Sequence, residues 1–307
     1  MRLGELEPRE LRARLAGDGI GLDLGAARVR IRSDAAGFER AFSTVYQGFD
    51  ASPSEGFYDV TVSLRRARGL RRYFRPQVEL VADGGAVFAP FPADTHLPLL
   101  EWGINYLFAT RLGFHLLLHA GVVELGGRAV ILPAMPGSGK STLTAALATR
   151  GFRLLSDEFG VVRLGDGKLL PLLRPVALKN ESIDVIARLA PQSTMGPRFP
   201  KTRKGTVAHM APDAHALEKR SVAAAPKLIV FPRYSPAVEC TVQPERRSLA
   251  FSRLSVNSFN YEMLGPASFD AVTRLVESCR AYRLVYSDMD RAIGAIRDLL
   301  AGGDRSA

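Results

Sequence analysis

Over the first ninety or so positions, apolar and polar residues alternate at period two in short blocks, and one block repeats at helical spacing. IGLDLGAARVRIRS, from Ile20, alternates as a half-buried strand pair would. Phe38, Phe42 and Val45 lie at helical spacing, in a helix that Asp34 could cap. YDVTVSL alternates cleanly, and VELVADGGAVFAPF reads as two strands around a Gly-Gly turn led by Asp83. The pattern predicts a small α+β region over residues 1–93, whose role the sequence does not state.

A second region, 94–307, opens with a helix predicted from Asp94 to Arg111, its Leu97, Leu100, Ile104 and Leu107 spaced along one face. HLLLHAGVVEL is a strand, Gly126-Gly127 a two-residue hairpin loop and RAVILP the return strand. TLTAALATR is a helix stopped by Gly151, and FRLLSDE is a buried strand ending in two acids. A strand pair is expected around Gly165-Asp166-Gly167. Residues 191–215, rich in Pro, Lys, Arg and His, predict a long functional or mobile loop. KLIVFP, VECTV and RLVYS read as strands. Phe269, Val272, Leu275, Val276 and Cys279 make one helical face, and Ser287 opens a last helix carrying Ile293, Ile296 and Leu300.

Composition narrows the class. The chain has 307 residues, 47% hydrophobic and 23% charged, which excludes a disordered chain. Two cysteines, Cys240 and Cys279, exclude a disulfide framework and a cysteine-rich zinc module, and are expected as reduced thiols of a cytoplasmic protein. No apolar run is long enough for a membrane span, and MRLGELEPRELRARL lacks the apolar core of a signal peptide. A formal charge of +10 invites a nucleic-acid partner, with the densest cluster at Arg65, Arg66, Arg68, Arg71, Arg72 and Arg75. No nucleic-acid module accompanies that cluster, so a solvated basic turn around Gly69 is the favoured reading.

The chemistry concentrates at residues 134–141, Ala-Met-Pro-Gly-Ser-Gly-Lys-Ser, a Walker A pattern with Ala134 in place of the first glycine. Gly137 and Gly139 let the backbone curl so that several N–H groups point at one phosphate. Met135, Pro136, Ser138 and Thr142 complete the cradle, Lys140 supplies a cation to the β- and γ-phosphates, and Ser141 offers a hydroxyl to Mg²⁺. The following helix adds its positive N-terminal end. A two-residue turn at 126–127 pairs Leu125 with Arg128, Val123 with Val130 and Gly121 with Leu132, which brings His119 beside the mouth of the loop if no bulge intervenes. FRLLS should run parallel to AVIL, so Asp157 and Glu158 arrive at the same sheet edge. Acids there can hold Mg²⁺ or accept a proton from an attacking hydroxyl.

The stretch LLLHAGVVELGGRAVILPAMPGSGKSTLTAALATRGFRLLSDE resembles the catalytic core of HPr serine kinase/phosphorylase, most closely the subgroup called HprK-related kinase A. RPVALKNES, RKGTVAHM and NSFNYEMLG are similar to the same subgroup. The resemblance implies a phosphate-loop kinase fold of the HPr kinase and phosphoenolpyruvate carboxykinase type. It implies Asp157 as catalytic base, Glu158 as a metal-associated acid (glutamate here instead of aspartate), and His119 as the active-site histidine. The EIRG signature of the bifunctional enzyme is absent, so the resemblance carries neither the phosphorylase activity nor HPr as substrate. Arg174, Lys179, Arg203 and Lys204 are the cations that could replace it, Lys179 and Lys204 foremost.

The expected activity is a Mg²⁺-dependent kinase moving the γ-phosphoryl of ATP to a hydroxyl, a Ser or Thr of a peptide or small protein. A metabolite acceptor such as free serine, and a nucleotide-dependent regulatory module without transfer, are the alternatives. The resemblance also suggests a small peptide-binding partner protein, and allows a homo-oligomer, since the bifunctional relatives form rings.

Overall fold

The computed structural model describes residues 1–52, 56–69, 74–133, 135 and 137–302. In chain order its α-helices are α1 (Pro8–Ala16), α2 (Phe38–Tyr46), α3 (His96–Arg111), α4 (Lys140–Thr149), α5 (Glu181–Leu189), α6 (Ala214–Glu218), α7 (Arg247–Val256), α8 (Tyr261–Leu264), α9 (Pro266–Ser278) and α10 (Met289–Ala301). The strands are β1 (Ile20–Asp23), β2 (Arg28–Ser33), β3 (Val60–Arg66), β4 (Gln77–Ala82), β5 (Gly85–Ala86), β6 (Phe91–Pro92), β7 (His115–Leu125), β8 (Arg128–Pro133) and β9 (Arg153–Ser156). They continue with β10 (Phe159–Arg163), β11 (Leu169–Leu170), β12 (Val176–Lys179), β13 (Phe199–Thr202), β14 (Gly205–Met210), β15 (Ala225–Tyr234), β16 (Thr241–Pro244) and β17 (Arg280–Tyr286). The class is mixed α/β. Among the described residues no helix is long and apolar enough to cross a membrane.

The chain divides into two compact units: 1–112 with 174–187 and 192–217, and 113–173 with 188–191 and 218–307. The division expected at residue 93 differs from this one. Helix α3 packs on β3 and β4 and so belongs to the first unit, as do residues 174–187 and 192–217.

In the first unit the sheet runs β1-β2-β3-β4-β5, with β6 also on β4; β2 and β3 are parallel and the other pairs antiparallel. Alternation along β2 sends Val29 and Ile31 into the core. Two local expectations change. The hairpin turn after β4 is Asp83-Gly84, both at positive φ, because Gly85 already pairs with Ala82. Asp34 does not cap α2: Gly37, at φ +76°, opens that helix, and the Asp34 carboxylate accepts from the Arg66 amide at 2.7 Å.

Residues 191–215 are not a loop throughout. They contain β13 and β14, which with β12 form a three-stranded antiparallel sheet. The short run Thr206-Val207-Ala208-His209-Met210, buried from Val207 onward, forms the strand, and the surrounding prolines and cations obscured it. Arg174 enters the core of this unit, 7% exposed. It faces the Glu101 carboxylate at 3.7 Å and bonds Asn105, while the Tyr46 hydroxyl donates to Glu101 at 2.6 Å. Its charge is thus committed to a buried ion pair. Arg203 lies over Phe91 and Lys204 over Trp102.

In the second unit the sheet order is β11-β10-β7-β8-β15-β17-β16, with β9 also on β7. The hairpin register holds as expected from Leu125↔Arg128 through Ala120↔Pro133 without a bulge. Strand β9 runs in the direction of β8 with β7 between them, each antiparallel to β7. Strands β8, β15 and β17 are parallel neighbours. Helices α7 and α9 seal one face over Ala129, Ile131, Ile229 and Phe231. Helix α4 takes the opposite face: a Cβ on Gly121 of β7 would stand 2.1 Å from the Thr144 hydroxyl. Asp288, one residue after the expected Ser287, caps α10 by accepting from the Arg291 amide at 2.8 Å. Cys240 and Cys279 are both free thiols. Cys279 is core, as its place on the α9 face predicts, and burial pushes its thiol up to about 12.

Candidate active site

Helix α4 begins at the carboxyl edge of β8, and the loop joining them supplies the site. Gly137 (φ +86°) and Gly139 (φ +88°) both hold left-handed backbone, which L side chains avoid. Gly139 is the N-cap of α4 and lends no side chain to the helix end, so the first-turn N–H groups stay available to an anion. A second constraint acts there: a Cβ on Gly139 would lie 2.9 Å from the Tyr286 hydroxyl and 3.1 Å from Tyr234 Cβ. The Tyr234 amide donates to the Ser138 carbonyl at 2.9 Å, tying the loop to the end of β15. The Ser138 hydroxyl is buried without a hydrogen-bond partner among the described residues. Met135 is 66% exposed; Ala134 and Pro136 lie outside the described residues. Ser141 and Thr142 stand in the first turn of α4, half-buried.

Opposite the loop, β9 and β10 share one edge of β7: Ser156 pairs with Val122 and Phe159 with His119. Asp157 and Glu158 fill the break between those two strands. Lys140 Nζ donates to the Asp157 carbonyl and lies 3.2 Å from Asp157 Oδ1 and 3.9 Å from Glu158 Oε2. His119 Nε2 stands 3.2 Å from the same Glu158 oxygen. The four groups foreseen as catalytic therefore meet in one cluster. Lys140 and Asp157 are 8% and 6% exposed, whereas the side chains of His119 and Glu158 are about a quarter exposed, at 26% and 23%. Burial disfavours the Lys140 ammonium, but the charges of Asp157 and Glu158 outweigh it and hold its pKa above the usual lysine value. Asp157 Oδ2 is buried and accepts no hydrogen bond among the described residues. A buried carboxylate oxygen left unmatched beside a glycine loop that opens a helix fits an incoming proton or cation.

Lys179, at the end of β12, belongs to the first unit and not to the unit that holds this loop. Among the described residues no three His, Cys, Asp or Glu side chains form a metal cage. A Mg²⁺ site of the phosphate-loop kind needs only one or two carboxylates, its other ligands being phosphate, hydroxyl and water; Glu158 and Ser141 suit that set.

One positioning element was not foreseen from residue spacing. The segment after α7 lies along β7 where β8 has ended: the His119 amide donates to the Asn257 carbonyl at 2.6 Å and the Phe259 amide to the Leu117 carbonyl at 2.8 Å. Asn260, 2% exposed, accepts from the Leu117 amide at 3.0 Å and donates to the His115 carbonyl at 2.8 Å, so its side chain takes the place of a strand neighbour. Phe259 then packs against His119, ring centroids 5.4 Å apart, and against Phe159 at 4.8 Å. An asparagine next to an aromatic residue carries no spacing signal for such a role.

No protein-family model matches the chain, and no curated protein matches it either.

Proposed function

We propose that this protein is a Mg²⁺-dependent kinase that moves the γ-phosphoryl group of ATP to an alcohol, a Ser or Thr hydroxyl of a peptide or small protein. The observation that carries the proposal is the meeting of Lys140 and Asp157 at 3.2 Å, at the mouth of a glycine loop opening a helix. Loop amides and the α4 N-terminus bind the triphosphate, and Lys140 turns from Asp157 to the phosphate oxygens. Asp157, its second oxygen unpaired, takes the proton of the acceptor hydroxyl. Glu158 and Ser141 would hold Mg²⁺, which neutralises phosphate charge. His119, 3.2 Å from Glu158, fixes that carboxylate's orientation.

A peptide acceptor is favoured by the surface next to His119. A shallow groove of about 520 Å³ runs along Ser255–Met263, with Val256 80%, Met263 60% and Phe259 44% exposed. Such apolar side chains suit residues flanking a hydroxyl in an extended segment. The test is to incubate the protein with γ-labelled ATP, Mg²⁺ and a Ser/Thr peptide library beside a panel of hydroxyl metabolites, reading products by mass spectrometry. Phosphopeptide formed by the wild type and not by Asp157→Asn supports the proposal. Tight ATP binding with no phosphorylated product would leave a nucleotide-dependent regulatory module instead.

A further inference from the structure

Beside the phosphate loop, on the α7 face of the second unit, lies a cavity of about 720 Å³ that none of the four clustered groups lines. Met135, Gly137 and Ser138 form its wall toward the loop. Its floor is the carboxyl ends of β15 and β17, with Phe231 and Val285, and its far wall is α7 with Ser252. The Arg253 guanidinium already lies over the Phe231 ring, 4.9 Å from its centroid. Glu245 holds Arg253 at 3.1 Å and Arg283 at 3.6 Å, and the exposed Arg233 adds a third guanidinium.

We infer that this cavity receives the nucleoside half of the phosphoryl donor. The inference rests on the kinase reading above. Phosphoryl transfer places attacking and leaving oxygens roughly in line, so the acceptor and the leaving nucleotide lie on opposite sides of the transferred group. Strand β8, which leads into the loop, lies between the carboxylates and the cavity, while the cavity and the groove along Ser255–Met263 both reach Val256. The carboxylates come from the β7 side, through β9 and β10, and the cavity from the β15 and β17 side. Its chemistry suits a flat heterocycle on a charged stem: apolar walls and a planar guanidinium for the ring, and cations for the phosphates nearest the sugar. The volume lies within the range usual for small-molecule sites.

The test compares two ligands by calorimetry in Mg²⁺: ATP, which has a nucleoside, and inorganic tripolyphosphate, which has none. Ser252 is exposed on α7, so Ser252→Trp fills the cavity without entering the core; Arg233→Ala is a second, milder variant. Ser252→Trp is expected to weaken ATP at least tenfold and Arg233→Ala roughly three- to tenfold, with tripolyphosphate changed less than twofold by Ser252→Trp. ATP affinity unchanged in both variants, with or without a raised KM for the acceptor, would overturn the inference. So would an equal loss for both ligands, which would mean a distorted loop. Failure of the wild type to bind either ligand would instead remove the kinase reading itself, and the inference with it.

Discussion

The ammonium of Lys140 and the carboxylate of Asp157 stand 3.2 Å apart, with side chains only 9% and 5% exposed. A pair this buried is stable only while both charges are present, because either one alone would bear its desolvation uncompensated. On the kinase reading proposed above, each group would hold the other until phosphate arrives.

Removing the base should stop chemistry and spare binding. Asp157→Asn keeps the shape of the side chain and leaves Glu158, 3.9 Å from Lys140, as its remaining charged partner. Single-turnover transfer from labelled ATP should fall by about two to four orders of magnitude, the usual worth of a positioned general base. ATP affinity should stay within a few fold. A variant that transfers at the wild-type rate would refute the role given to Asp157.

Removing the cation should cost stability as well as binding. Lys140→Met leaves Asp157 buried and unpaired, at about 3–5 kcal/mol. Lys140→Met with Asp157→Asn removes both charges and should recover much of that loss. Urea unfolding followed by circular dichroism through the double-mutant cycle measures the coupling. Additive effects would show that the pair contributes nothing to the fold.

The two loop glycines should respond unequally. Alanine at either position faces the left-handed backbone, at about 1–2 kcal/mol. At Gly137 the added methyl meets nothing within 4 Å among the described residues, while at Gly139 it meets the Tyr286 hydroxyl at 2.9 Å. Gly139→Ala should therefore destabilise more and lose tripolyphosphate binding more than tenfold, with Gly137→Ala the milder variant in both calorimetry and thermal unfolding. Equal effects would mean that Tyr286 and Tyr234 do not shape the loop.

What could be read from the chain and what could not divide along physical lines. The hairpin register followed from a two-residue glycine turn, because the period of a strand leaves no freedom once the turn is set. That arithmetic brought His119 toward the loop, and strand direction brought Asp157 and Glu158 to it. Asn260 could not be read this way, since its role is to mimic a neighbouring backbone across more than 140 residues of sequence. Arg153 was hidden for a similar reason. It sits 3% exposed, bonding Glu124 at 2.5 Å and the carbonyls of Lys219 and Val222, yet in sequence it is one more cation in a basic chain. Strands β13 and β14 were masked because local composition argued for a loop while the pairing that makes them strands is partly supplied by β12, some thirty residues earlier.

The first unit carries its own response to acid. His209, in β14, is 1% exposed, and burial, with the charges of Arg174 and Lys179 adding to it, pushes its pKa down to about 3. Below its ordinary value of about 6.5 the unfolded chain binds a proton at this residue and the native chain does not. Stability therefore falls as pH drops from 6.5 toward 3. Between pH 6.5 and 5 the loss from this one residue should be about 1–2 kcal/mol, and Glu101, whose pKa burial raises, acts in the opposite direction. His96, whose pKa burial also lowers, adds to the slope in the same direction as His209. Trp102 is the sole tryptophan and belongs to the same unit as His209, so its fluorescence in urea reports on this part of the chain. His209→Gln should flatten the dependence of the urea midpoint on pH across that window, leaving the slope set by His96 and Glu101. A variant with the wild-type slope would show that His209 gains its proton without unfolding.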